Sequence, residues 1–230
     1  MSAKVWKERK VRKTPEETRQ SLLGAGLMLF GRDGYKNVTT RALAEEAGVN
    51  QAAIPYHFGG KKELYIAVAE SIVEDVSKQF GSMVEMLNKD LHTANGDKKA
   101  IAETLTAFIN IFLNTVLGND VNELRFQFIN QEYLRPSDGF TIIYERVIQH
   151  VHKFLTALVS TCFSLPEESE EAKLRANSLA GLMLIYLFGR PVVLKRTGWD
   201  EYTPQNIAKI NTAVTEMALN MLCLNSALKD

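Results

Sequence analysis

The sequence predicts an all-α protein with a small three-helix head and a larger helical body. Three observations predict it. Apolar residues recur at helical spacing along nearly the whole chain. No stretch sustains the strict alternation of a strand, and clusters of Gly, Pro and Asn fall between the periodic segments. The expected organisation is a basic flexible tail over 1–13, a head over 14–60 and a body over 61–230, about nine helices in all.

The first helix opens at Thr14-Pro15-Glu16-Glu17. Thr14 suits the N-cap, Pro15 the first helical position, and Glu17 completes a capping box. Leu22, Leu23, Leu27 and Phe30 form its apolar face. Gly24 and Gly26 should each cost it roughly 1 kcal/mol against alanine, and Gly34 is expected to end it in the left-handed conformation. A short second helix follows over 40–47, capped by Thr39 and closed by a turn at Gly48. A third covers 51–57, and Phe58-Gly59-Gly60 breaks the chain before a long fourth helix from Lys61. Further helices are expected over 98–117, 120–134, 137–163, 168–195 and 204–227, separated by Asn95-Gly96, Gly118-Asn119, Arg135-Pro136, Leu165-Pro166 and Thr197-Gly198.

Charge is distributed unevenly. The chain is formally neutral, yet residues 1–62 hold twelve Lys/Arg against six Asp/Glu, and the remainder holds fifteen against twenty-one. A basic block at one end suits a polyanion, which by composition alone is DNA, RNA or a membrane surface. The basic stretch 1–13 lacks the apolar run of a signal peptide, and 179–188, read as the most apolar segment, is too short to cross a bilayer. A cytoplasmic protein without membrane association is therefore expected, with Cys162 and Cys223 as buried, unpaired thiols. Gly24-Ala25-Gly26 follows no strand, and no nucleophile–base–acid set or phosphate loop emerges, so neither catalysis nor a cofactor is expected. His150 and His152 are two apart, which on a helix sends them to different sides and argues against a metal site.

Two short helices joined at Gly48 make a helix-turn-helix. Leu43, Ala44 and Ala47 can face Ile54 and Phe58, the alanines permit close approach, and glycine tolerates the turn. What remains outward is polar: Thr39, Thr40 and Arg41 at one helix start, Asn50 and Gln51 at the next, with Tyr56, His57 and Lys61 beyond. Asn and Gln reach base edges, Ala52 and Ala53 suit thymine methyls, and Thr, Tyr, His and Lys suit phosphate oxygens. Lys4, Lys7, Arg9, Lys10, Arg12 and Lys13 serve either as general phosphate attraction, as an arm in the minor groove, or as a merely solvated terminus.

The combined spacing of Ala25, Phe30, Gly34, Thr39, Leu43-Ala44, Ala47-Gly48-Val49, Phe58, Lys61 and Leu64 resembles the TetR family of prokaryotic regulators. That resemblance implies a homodimer on a palindromic operator in double-stranded DNA, with a body that binds a small-molecule effector and relaxes DNA binding. The family commonly has Tyr three residues before Phe58, where this chain has Pro55, so the tyrosine role moves to Tyr56. Weaker likeness to the CecR-like subgroup runs through Phe128-Ile129, Glu132, Leu134, Pro136, Val147-Ile148 and Arg196-Thr197-Gly198-Trp199.

The body is rich in aromatic residues, mostly ordinary core by position. Phe108, Phe112, Phe128 and Tyr144 are the candidate ligand contacts, and Arg125, Arg146 and Arg190 either orient an anion or make surface ion pairs. Residues 179–194 and 207–224 are apolar around much of the helix, which suits a dimer interface through the helices at 168–195 and 204–227. Two competing readings remain at this point: a DNA-binding protein without an effector, and a helical ligand-binding protein or enzyme whose head has lost DNA binding.

Overall fold

In the computed structural model the described residues are 13–118, 120–225 and 227, and among them all regular structure is helical. The chain divides after Val68 into two compact units. The head holds α1 (Pro15–Asp33), α2 (Thr40–Ala47), α3 (Ala53–Phe58) and the start of α4 (Lys61–Ala94). The body holds the rest of α4, then α5 (Lys98–Leu117), α6 (Asp120–Leu134), α7 (Asp138–Ile143), a π-helical turn (Tyr144–Ile148), α8 (Gln149–Phe163), α9 (Glu170–Phe188), α10 (Arg190–Thr197) and α11 (Pro204–Met221).

Local sequence explains where the head helices begin. Thr14 accepts the Glu17 N–H at 3.2 Å while the Glu17 carboxylate accepts the Thr14 N–H at 2.7 Å, a reciprocal capping box. The Thr14 N–H donating to it, with the Thr14 hydroxyl beside it, holds the Glu17 carboxyl below its ordinary pKa. Thr39 caps α2 through the Ala42 N–H at 3.1 Å. Gly34 has the expected positive φ, but its ψ of 157° takes it out of the left-handed helical region. The two glycines within α1 are not alike. An added Cβ at Gly24 meets nothing within 4 Å, whereas one at Gly26 lies 2.8 Å from Val68 Cγ2. α1 and α4 approach too closely at Gly26 for any side chain there.

The body core is built on α5, α8, α9 and α11, with Phe108, Leu105, Phe154, Leu158, Leu179 and Val214 all essentially inaccessible. α5 is long and apolar enough to cross a membrane, with a mean hydropathy of 1.5, and half of that stretch is buried in this core. Three expected helices are divided differently. The span 137–163 breaks into α7, the π turn and α8. The span 168–195 bends by 73° at Gly189, where the next helix begins with Arg190-Pro191 and the missing proline N–H costs nothing in a first turn. The last helix ends at Met221 rather than near 227, because Cys223 takes φ +56° and the Leu224 N–H returns to the Leu219 carbonyl at 2.8 Å. Ser164 closes α8 in the same way, at φ +53° with Leu165 N–H on Ser160 O.

Two further expectations are revised. Cys223 is exposed rather than buried, and Cys162 is partly buried, its thiol pushed up to about 11 chiefly by burial. The run 179–188 is only half covered: Leu179, Ala180 and Met183 are buried, while Ile185 is 56% exposed.

The glycine pair gives opposite expectations on one helix. Gly24→Ala should stabilise the protein by about 0.5–1 kcal/mol, since alanine fits and restricts the unfolded chain. Gly26→Ala should destabilise it by about 1–3 kcal/mol, because β-branched Val68 cannot swing clear. Chemical denaturation of the two variants checks both signs.

Candidate nucleic-acid interface

The turn between α2 and α3 is set by Gly48, left-handed at φ +63° and ψ +37°, with its N–H and that of Val49 returning to the Ala44 carbonyl region of α2. Leu43, Ala44, Ala47 and Ile54 are buried behind it. Lys13 donates at 2.7 Å to both the Ala47 carbonyl and the Ser21 hydroxyl, so it ties α1 to the C-terminal end of α2, where a cation is favoured. Lys13 is exposed, and these two hydrogen bonds fasten its ammonium to the head. Lys4, Lys7, Arg9, Lys10 and Arg12 lie outside the described residues.

The structure brings the two helix starts together. Gln51 Nε2 donates to Thr40 Oγ1 at 2.8 Å, and both residues border a shallow dish with Ala52, Ile54, Pro55 and Gly60. Ala53 is the first residue of α3, so Gln51 sits in the turn ahead of the helix rather than at its start. Asn50 is committed locally, its Oδ1 accepting the Ala52 N–H at 2.8 Å. Thr39 uses its oxygen as the α2 cap and keeps a hydroxyl proton to donate. Arg41 reaches Glu45 one turn on at 2.8 Å, an exposed pair of small net value.

Tyr56 is 81% exposed and stands edge-on to His57 with ring centroids 4.9 Å apart. An aromatic ring left so open serves no packing within the head. The Lys61 ammonium lies 4.3 Å from the centre of the Tyr35 ring, and its partial burial pulls its pKa below the ordinary lysine value. Arg19 lies 5.2 Å over the Phe58 ring.

Pro55 is the third residue of α3, in the first turn rather than near the end of the helix. An N–H there has no intrahelical acceptor, so proline removes no helix bond. Its carbonyl still accepts the Gly59 N–H at 3.0 Å.

The body holds a partly open cavity of about 330 Å³ between α4, α5, α6, α9 and the run from the π turn into α8. Of the four candidate ligand contacts, Phe112 borders it. Phe108 and Phe128 are wholly buried core residues, and Tyr144 lies on the surface stacked against Phe140. The wall comes instead from Phe126, Ile129, Tyr133, Met183 and Phe188, with Arg146, His150 and His152 as polar members. His150 and His152 therefore border one cavity, because it follows the helix where the π turn runs into α8 and meets more than one side of it. Burial lowers the His152 pKa and a hydrogen bond with Asn177 partly offsets it; burial raises that of the Tyr133 phenol.

Comparison with known proteins finds two matching segments. Residues 22–68 match the family of bacterial regulatory proteins, tetR family, and 101–223 match the C-terminal domain of the HTH-type transcriptional dual regulator CecR. CecR of Shigella flexneri is 31% identical over 200 residues, covering 87% of this chain and 89% of its own. The chain is a TetR-family transcriptional regulator of the CecR type. Solved structures of the same fold include the hemolysin II regulator HlyIIR, with TM-score 0.55 at 18% identity over 88% of this chain and 99% of its own. AibR, solved with isovaleryl coenzyme A and operator DNA, has TM-score 0.60 at 16% identity, over 87% and 97%.

In this regulator the CecR-matching segment contains a nearly inaccessible carboxylate, Glu132, which accepts the Ser137 N–H at 3.0 Å and its hydroxyl at 2.8 Å. That closes the α6–α7 corner and seats Tyr133 at the cavity. Glu132→Ala should cost about 1.5–3 kcal/mol, the range for hydrogen bonds to a charged group. Thermal or urea unfolding measures it; a loss below about 0.5 kcal/mol, the scale of a surface substitution, would show the corner held by something else.

Proposed function

We propose that this TetR-family regulator is a homodimeric repressor, bound to a palindromic operator through its head and released when a small molecule enters the cavity of its body. In this division of labour residues 14–60 read DNA, and 61–230 sense the ligand and dimerise. The observation that carries the DNA half is the Thr40–Gln51 hydrogen bond beside the open Tyr56 ring: a polar, aromatic edge with no role in packing the head.

Gln51, Ala52 and Ala53 read base edges, with Arg41 assisting from its labile ion pair. Thr39, Thr40, Tyr56, His57 and Lys61 fix position on phosphates. Asn50 contributes mainly by holding the turn that presents Gln51. Two heads meet half-sites one helical turn apart, roughly 34–36 Å.

Dimerisation is assigned to α9 and α11. Leu174 and Ile185 on α9, and Met217 and Met221 on α11, are exposed large apolar side chains, and Gly181 offers open space beside them. A second copy would cover such a face. AibR's complex with operator DNA and a coenzyme A thioester supports the ligand half by analogy of fold. α4 begins at Lys61 and supplies Val84 and Glu85 of the cavity wall, so a ligand that displaces that wall moves the start of the same helix. A coupling of about 1–3 kcal/mol changes operator affinity roughly 5- to 150-fold.

Gln51→Ala should relax base preference with little change in salt dependence, while Lys61→Ala should weaken all sequences alike and reduce the salt slope by about one unit. Identical behaviour of the two variants in titrations against operator and random DNA would sink the division into reading and positioning residues. Ile185→Asp combined with Met217→Asp should shift the protein from dimer to monomer in sedimentation and abolish tight operator binding. A dimer that persists would place the interface elsewhere.

A further inference from the structure

We infer that the body cavity selects a compact aromatic ligand carrying one acidic group, with the acid received by Arg146 and the ring system held by Tyr133 and Phe188. This rests on the reading of the body as a ligand-binding unit and adds the chemistry of the ligand.

The arginines supply the first argument. Arg125 is paired with Asp75, and Arg190 lies 3.3 Å from Glu123 and 5.1 Å over the Tyr202 ring. Arg146 borders the cavity and makes no ion pair with any described residue. Arg146 is exposed at the rim of this apolar cavity, and a guanidinium there with no carboxylate partner is free to pair with a planar anion. The π turn puts it there. The Gln149 N–H reaches back five residues to the Tyr144 carbonyl, and residues 146, 147, 148, 150, 151 and 152 all border the cavity as a result of that widened winding.

The second argument is aromatic. Phe188 and Tyr133 border the cavity with centroids 5.3 Å apart. Tyr133 meets Phe140 edge-on at 6.1 Å, and Phe140 stacks on exposed Tyr144 at 5.8 Å. This file of rings runs from the cavity to the surface on the element that carries Arg146, and rings favour a flat, polarisable guest. Burial keeps the Tyr133 phenol protonated to a higher pH than usual, leaving it a donor.

Size and sign narrow the class. About 330 Å³ is at the lower end of the roughly 300–1,000 Å³ of small-molecule sites. The α4 wall carries Glu85, which repels a second anionic group and turns the acid toward the π turn. A compact monoanion fits both facts better than a polyphosphorylated thioester.

The test uses two fluorescent probes on the full chain: 8-anilinonaphthalene-1-sulfonate, and its uncharged parent N-phenyl-1-naphthylamine. Both should bind. Arg146→Gln should weaken the sulfonate roughly tenfold, the effect of one lost charge-assisted hydrogen bond, and leave the neutral probe within about twofold. Arg146→Lys should restore part of the loss. Met183 borders the cavity and is almost wholly buried, so Met183→Trp should crowd the site and weaken both probes, with circular dichroism checking that the helices remain. Equal effects of Arg146→Gln on both probes, or none on the sulfonate, overturn the acid-binding inference while leaving a ligand-binding body intact. Failure of both probes to bind, or binding unchanged by a folded Met183→Trp, removes the ligand-binding reading itself.

Discussion

The interface side of the head depends on how closely α1 meets the first turns of α4. Gly26 has no side chain at the point where Val68 lies 2.8 Å from an ideal Cβ, and this allows the Phe30, Tyr35 and Tyr65 rings to close around one another. Phe30 and Tyr65 meet edge-on at 4.9 Å, as do Tyr35 and Tyr65. Lys61 then rests over Tyr35 at 4.3 Å. α3 is only six residues long and hangs between the Gly48 turn and Gly59-Gly60, so it has too little surface of its own to hold an orientation. Its placement follows from α2, anchored by Lys13 on one side, and from α4, anchored by the aromatic cluster on the other.

The body solves a different problem. Its core buries large side chains so completely that Phe108 and Phe128, which lie on apolar faces like any cavity-lining residue, have no surface left for a ligand. The aromatic-lined cavity lies where regular winding fails, at the π turn and beside the Gly189 bend that ends α9 next to Phe188. Irregularities of this kind cost backbone regularity and are retained where a wall must be re-aimed. Arg146, in the π turn, makes no ion pair with any described residue, while Arg125 on α6 and Arg190 at the start of α10 find carboxylates.

Much of the head was legible because its signals are local. A capping box, a threonine cap and a turn glycine each act within four residues, and the structure has all three at Thr14–Glu17, Thr39 and Gly48, although Gly34 misses its expected left-handed helical conformation. Gln51 and Thr40 were legible as outward polar residues, but their mutual hydrogen bond spans eleven positions and was not. Asn50 shows the limit of residue-type reasoning: the amide that suits a base edge equally suits the N–H two residues on. In the body, helix existence was legible and helix ends were less so. Cys223 and Ser164 take left-handed conformations that neither residue type announces, held by buried Leu224 and by the return of Leu165 N–H to Ser160.

The sequence by itself determined the all-α class, the turn at Gly48, the starts of α1 and α2, and, through the spacing of the head residues, the family. All of these rest on hydrophobic period and on bonds between near neighbours. Tertiary structure alone decided which aromatic residues border a cavity, that Arg146 at its rim has no carboxylate partner among the described residues, and that Gly26 cannot carry a side chain although Gly24 can. Those outcomes depend on what a distant helix brings to the same place, and a helical period records only which way a residue faces, not what it meets there.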